Sequence, residues 1–149
     1  MFAKHALTAS MLALALAFTA LPVTAQGVPA GTKAVPRAQV VIQMSDADPA
    51  KWNLALNNAR NLQADVGAAN IDIELVAYGP GIGMLKADSV VANRIDEALG
   101  AGVKVVACEN TMRGQKLTRD DMLPKLDYVT AGVVELMRKQ QQGWAYIRP

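Results

Sequence analysis

The chain is nearly empty of two residue types on which much enzyme chemistry depends. Cys108 is its one cysteine and His5 its one histidine, and His5 lies at the extreme amino end. Beyond that end, a Ser-His-Asp triad, a Cys-His pair, an HExxH helix and a Cys/His zinc site are all excluded within one chain. A single cysteine also rules out an intramolecular disulfide, so the fold must rely on its core. Aromatic residues are few and no basic cluster occurs, which leaves no nucleic-acid signature. No segment sets two convincing metal ligands together, so neither a metal nor any other cofactor is expected. Nucleophilic chemistry, if there is any, runs through one thiol without help from imidazole.

What is present begins with a leader. Lys4 precedes residues 6–23, an apolar stretch without a charge, and Val23-Thr24-Ala25 supplies the small residues of a cleavage site before Gln26. This pattern predicts a secretory signal peptide over residues 1–25, no stable membrane anchor after cleavage, and a periplasmic location. The competing reading is a membrane span, because the stretch approaches the ~18 residues a span needs; Pro22 and the small residues favour cleavage. Removal leaves about 124 residues, enough for one domain with its own core. Losing Lys4 brings the 15 basic residues close to parity with the 13 acidic ones, so no charged partner is indicated.

Residues 26–37 are rich in Gly, Pro, Ala and Thr without apolar period and read as a flexible linker. Residues 38–149 then alternate strand and helix patterns. AQVVIQM is a first strand. Asp48-Pro49 caps a helix carrying Trp52, Leu56, Ala59 and Leu62 at helical spacing, and Gly67 closes it. Residues 71–78 alternate apolar and acidic side chains, which predicts a half-exposed strand near a sheet edge. A Gly-Pro-Gly-Ile-Gly loop, a helix over about 88–98, a strand VKVVA, a brief strand at Tyr128-Val129 and a helix over 132–142 follow. The closing Trp-Ala-Tyr-Ile-Arg-Pro would be either an edge strand or an arm docking on a neighbour. The sum is a single α/β domain, a three-layer parallel sheet with helices on both faces, flavodoxin-like in type.

The candidate chemistry gathers at strand ends, where parallel sheets keep their sites. Cys108 closes the third strand just before a helix start expected at Asn110 or Thr111. The positive end of that helix, and Arg113 one turn on, would favour thiolate, while Glu109 opposes it. Asn110 and Thr111 either cap the helix or hydrogen-bond a thiolate, persulfide or oxyanion. The ordinary alternative for Cys108 itself is a small buried core residue. Gly81 and Gly83 lie in a loop that lacks both the Rossmann and the P-loop pattern, so a turn lining one wall of a pocket is expected. Ser45 and Asp46 end the first strand. In a 2-1-3 strand order the first and third strands are neighbours, and Asp46 would then lie beside Cys108. Trp52 and the methionines at 44, 84, 112 and 122 read as core or interface.

Four stretches together carry a resemblance: VVIQMSDADPAKWNLALNNARNL, IELVAYGPGIGML, GVKVVACENTMRG and the closing GWAYIRP. In their order and spacing the chain resembles the DsrE/DsrF-like (YchN-like) family, in its small exported branch. The resemblance implies a compact three-layer α/β subunit that assembles with its own copies, often as trimers or hexamers. It also implies, from the sulfur-relay members, a persulfide on a cysteine at the corresponding strand end, with a sulfur donor or acceptor protein as partner. Two other readings stand beside a carrier function. One is a non-catalytic module binding a small molecule or protein through Ser45, the 79–83 loop and residues 108–112; the other is a purely structural oligomer.

Overall fold

The computed structural model describes residues 37–149; the expected leader and nearly all of the expected linker lie outside them. Five strands form one wholly parallel sheet: β1 (Ala38–Met44), β2 (Ile71–Ala77), β3 (Lys104–Cys108), β4 (Asp127–Val129) and β5 (Ala145–Ile147). Four α-helices connect them: α1 (Pro49–Val66), α2 (Ala92–Gly100), α3 (Glu109–Gly114) and α4 (Gly132–Gln141). The spatial order is β4-β3-β2-β1-β5.

That order corrects two expectations. The 2-1-3 arrangement is absent, and β2, expected near an edge, is the central strand. Three successive connections step one strand in the same direction, and right-handed crossovers therefore put α1, α2 and α3 on one face. The return from β4 to β5 steps the other way, which throws α4 onto the opposite face.

The first face carries the main core. Ile42, Met44, Ile73, Leu75, Val105 and Ala107 meet Trp52, Leu56, Ile95 and the buried Ile82, Met84 and Leu85 of a 3-10 segment (Gly79–Leu85). The helix α1 forms as the sequence predicts: the Asp48 side chain accepts the Ala50 N–H at 2.8 Å, Pro49 starts the helix, and Gly67 at φ +88° ends it. The α2 helix begins later than expected, because residues 86–92 close as turns in which Ser89 and Ala92 N–H groups bond the carbonyls of Lys86 and Ser89.

The opposite face is thin. Val41, Val76 and Val106 pack on Leu136 of α4, with Tyr78, Val129 and Trp144 at the margin. Between them Glu74 stands on the central strand at 0% exposure, its carboxylate 2.7 Å from Lys139 of α4 and 3.7 Å from the more exposed Lys104. The Lys139 ammonium also lies 4.1 Å from the centre of the Trp144 ring. The acidic residue that suggested solvent exposure thus faces a helix that brings its own cation. The closing aromatic run is an edge strand of its own subunit, parallel to β1 with Tyr146 opposite Val41, and the Tyr146 hydroxyl donates to Gln43. No helix among the described residues is long and apolar enough to cross a membrane.

Candidate functional site

Cys108 is the last residue of β3, paired across with Val129 of β4, and it is the N-cap of α3. The helix therefore starts at Glu109, one or two residues before the start expected at Asn110 or Thr111. Strand alternation puts the Cys108 side chain on the same face as Val106, under the start of α4. The residue is only 4% exposed. A protonated thiol donates to the Thr130 carbonyl at 3.9 Å. A thiolate instead meets donors. Burial pushes the thiol up, but the Thr111 hydroxyl and the backbone N–H groups of Gly132, Thr111 and Asn110 outweigh it and hold the thiol below its ordinary value. Of these, the Asn110 N–H is bonded to the Thr130 carbonyl at 3.0 Å.

Two glycines make this enclosure. Gly132 opens α4, and a Cβ there would come within 3.0 Å of Tyr78 Cβ and 3.2 Å of Val76 Cγ1. Glycine lets the helix start settle on the sheet beside the sulfur. Gly79, at φ +54°, turns the chain out of β2, and its N–H donates to Thr111 Oγ at 2.9 Å.

The charged neighbours expected to tune the thiol face elsewhere. The Arg113 guanidinium bonds Asn110 Oδ1 on the exposed side of α3, and it is not among the groups that set the thiol's protonation. Glu109 is paired with Arg119 at 3.0 Å, and Arg119 in turn covers the Tyr128 ring at 4.2 Å. Asp46 lies two strands from Cys108, about 10 Å away by strand spacing. It is engaged with Lys51 at 3.0 Å and Arg148 at 3.8 Å.

The predicted site residues thus fall into two groups. Cys108, Asn110 and Thr111 come together at the end of β3, with Arg113 on the outer surface of the same short helix. Ser45, Asp46, Gly81 and Gly83 belong to the end of β1. There the Gln43 amide bonds Ser45 Oγ at 3.0 Å, and a Cβ on Gly81 would meet the Met44 carbonyl oxygen at 2.4 Å. Gly83 packs against the Trp52 ring, 3.4 Å from where a Cβ would be. Gly79 belongs to the loop expected to line a pocket wall, whereas Thr130 and Gly132 are the site residues sequence reasoning passed over. The rule that sites gather at strand carboxyl ends, applied to β4 as it was to β1, β2 and β3, points to both.

Two open grooves flank α4. One of about 530 Å³ runs between α4 and β1, lined by Gln43, Tyr78, Val133, Met137 and Tyr146. The other, of about 540 Å³, lies over β4 between Tyr128, Thr130, Glu135 and Arg138. Among the described residues no cluster of three or more His, Cys, Asp or Glu side chains has the spacing to hold a metal ion.

Comparison with known proteins places this arrangement. The model of one protein family, described as the DsrE/DsrF-like family, matches residues 38–149. The fold is similar to that of MTH1491 from Methanobacterium thermoautotrophicum, a protein of unknown function, at 39% identity and a TM-score of 0.72, over 75% of this chain and 99% of that one. It is also similar in fold to the ychN protein from E. coli, with 13% identity and a TM-score of 0.61 over 77% of this chain and 100% of that one. A conserved protein of unknown function from Bacteroides thetaiotaomicron, BT1422, shares the fold at 16% identity and a TM-score of 0.58, over 74% of this chain and 94% of that one. No functionally curated protein matches the chain.

Proposed function

The chain belongs to the DsrE/DsrF-like family, which is associated with sulfur relay, and on that premise we propose that Cys108 carries sulfane sulfur as a persulfide. The observation that carries this reading is the place of Cys108, the last residue of β3 and the N-cap of α3, where its thiol is held below its ordinary value. In the forward step the Cys108 thiolate attacks the outer sulfur of a donor persulfide. The donor S–S bond breaks, the donor leaves as its thiolate, and Cys108 holds the new S–S bond. An acceptor thiolate then attacks the outer sulfur and releases Cys108 as thiolate, so no net oxidant is consumed. Secretion to the periplasm with cleavage near Ala25, and assembly as a trimer or hexamer, complete the proposal. The leader pattern of residues 1–25 supports the first, and exposed Val133 and Met137 on α4 support the second.

Mass spectrometry of protein isolated without reductant tests the carrier. A one-sulfur adduct on Cys108, removed by a small thiol, is the expected result. A thiol that stays unmodified after incubation with a low-molecular-weight persulfide would sink it. A second reading, a non-catalytic binding module, draws support from the burial of Cys108 and from the two grooves beside α4. It requires that Cys108→Ala leave binding intact while substitutions at Tyr78 or Met137 weaken it.

A further inference from the structure

α1 and α2 meet along matched faces that do not close on each other. Leu56, Arg60 and Gln63 of α1 recur at the spacing of one helix face, and Arg94, Ala98 and Ala101 repeat it along α2 and its C-cap. Between them lies a cavity of about 190 Å³. Alanine at Ala59, Ala98 and Ala101 leaves open a seam that larger apolar side chains would fill. The floor is apolar and buried, made by Leu56, Ala59 and Val103. The wall is cationic. Arg94 Nη1 donates to the Asn53 carbonyl at 3.3 Å and to Asn53 Oδ1, and Nη2 donates to Asn57 Oδ1 at 2.8 Å. All these acceptors are neutral, so they fix the guanidinium without cancelling its charge. Among the described residues no carboxylate oxygen lies within 4.0 Å of Arg94 or of the exposed Arg60.

From this we infer that the seam between α1 and α2 binds a small organic acid, its carboxylate held by Arg94 and Arg60 and its short aliphatic body laid on Leu56, Ala59 and Val103. A guanidinium already fixed in place matches the planar carboxylate and loses little freedom on binding it. The apolar floor rewards a hydrocarbon body, which an inorganic anion lacks. Glu97 lines the same cavity, and its charge disfavours a ligand with a second negative group. The volume lies below the ~300 Å³ at which ligand clefts usually begin, which limits the body to a few carbons. This site is separate from the thiol. Val103 precedes β3 and Cys108 ends it, about 17 Å apart by strand rise, and Cys108 faces α4 on the other side of the sheet. The inference therefore rests nowhere on the carrier reading.

The test is an NMR titration of the ¹⁵N-labelled protein with pentanoate, with pentanamide as the neutral isostere and acetate as the acid without a body. Pentanoate should give saturable shifts confined to the facing stretches of α1 and α2 and to Val103, with a dissociation constant on the order of 1 mM. Pentanamide and acetate should each bind about tenfold more weakly, one for want of charge and the other for want of apolar contact. Arg94→Met should also weaken pentanoate about tenfold. That variant cuts a tie between α1 and α2, so Ala98→Leu, which fills the seam and keeps every charge, decides where Arg94→Met does not fold. Cys108→Ala should bind as the wild type does. Pentanamide binding as tightly as pentanoate, or Ala98→Leu binding pentanoate like the wild type, would overturn the inference.

Discussion

The two faces of the sheet are built on different principles. The face under α1 and α2 is a continuous apolar layer in which Ile42, Leu75, Val105, Ile82, Met84 and Ile95 are all fully buried. The face under α4 has Val41, Val76, Val106 and Leu136, and completes itself with an ion pair, a cation on an aromatic ring and two open grooves. The thiol stands on the second face. A dense core holds its side chains in one arrangement. A face held by one leucine and one charged pair leaves open grooves on either side of α4. Stability is concentrated on one side of the sheet, and the candidate chemistry on the other.

Truncating the apolar centre of each face gives the largest expected effect. Leu75→Ala should cost about 4 kcal/mol, within the range for a leucine lost from a rigid core, whereas Leu136→Ala should cost about 2 because water and neighbouring side chains can fill the thinner layer. Equal losses in chemical denaturation would break the contrast. Next comes the charged pair. Lys139→Met strands Glu74 in the interior and should cost about 3 kcal/mol, at the low end for a broken buried pair because Lys104 remains at 3.7 Å. Adding Glu74→Gln should recover most of that loss, and a double variant no more stable than the single one would show that the pair is not the fastening of α4.

Charge on the outer side of α4 should do less to the subunit and more to its company. Val133 is 61% exposed and Met137 48%, so Val133→Glu with Met137→Glu should change subunit stability by no more than about 0.5 kcal/mol. The same pair should shift sedimentation from oligomer to monomer, and an unchanged sedimentation coefficient would remove this face as the contact. Smallest is the linkage of the thiol to stability. Its folded-state value lies below the ordinary one, so Cys108 contributes stability at pH above the unfolded thiol's value and loses it as pH falls through the folded value. Wild type minus Cys108→Ala, measured by urea melts across that window, should grow with pH. Arg113→Ala should leave the curve unmoved, contrary to what proximity in sequence suggests.

Much of the first face was legible in the chain. Asp48-Pro49 and Gly67 mark the two ends of α1 because caps are local chemistry, and the Val and Ile runs mark strands because alternation is local geometry. Cys108 at a strand end could be read for the same reason. Glu74 could not. An acidic residue alternating with apolar ones reads as a solvent-facing position, and only the arrival of α4 with Lys139 turns it into a buried one. Arg113 misled by the same route: it is near Cys108 in sequence, but the turn of α3 carries it to Asn110 and the exposed side.

The sequence alone therefore determined the class of fold, the run of strands and helices, the lack of histidine beyond His5 and the one available thiol. Periodicity, capping and composition are properties of neighbours in the chain, and they need no knowledge of what packs where. The tertiary structure decided the rest. The strand order 4-3-2-1-5 separates Asp46 from Cys108, brings Thr130 and Gly132 to the sulfur and sets Gly79 against Thr111. Those contacts join residues far apart in sequence, and strand order arises from packing between distant elements that no local pattern encodes.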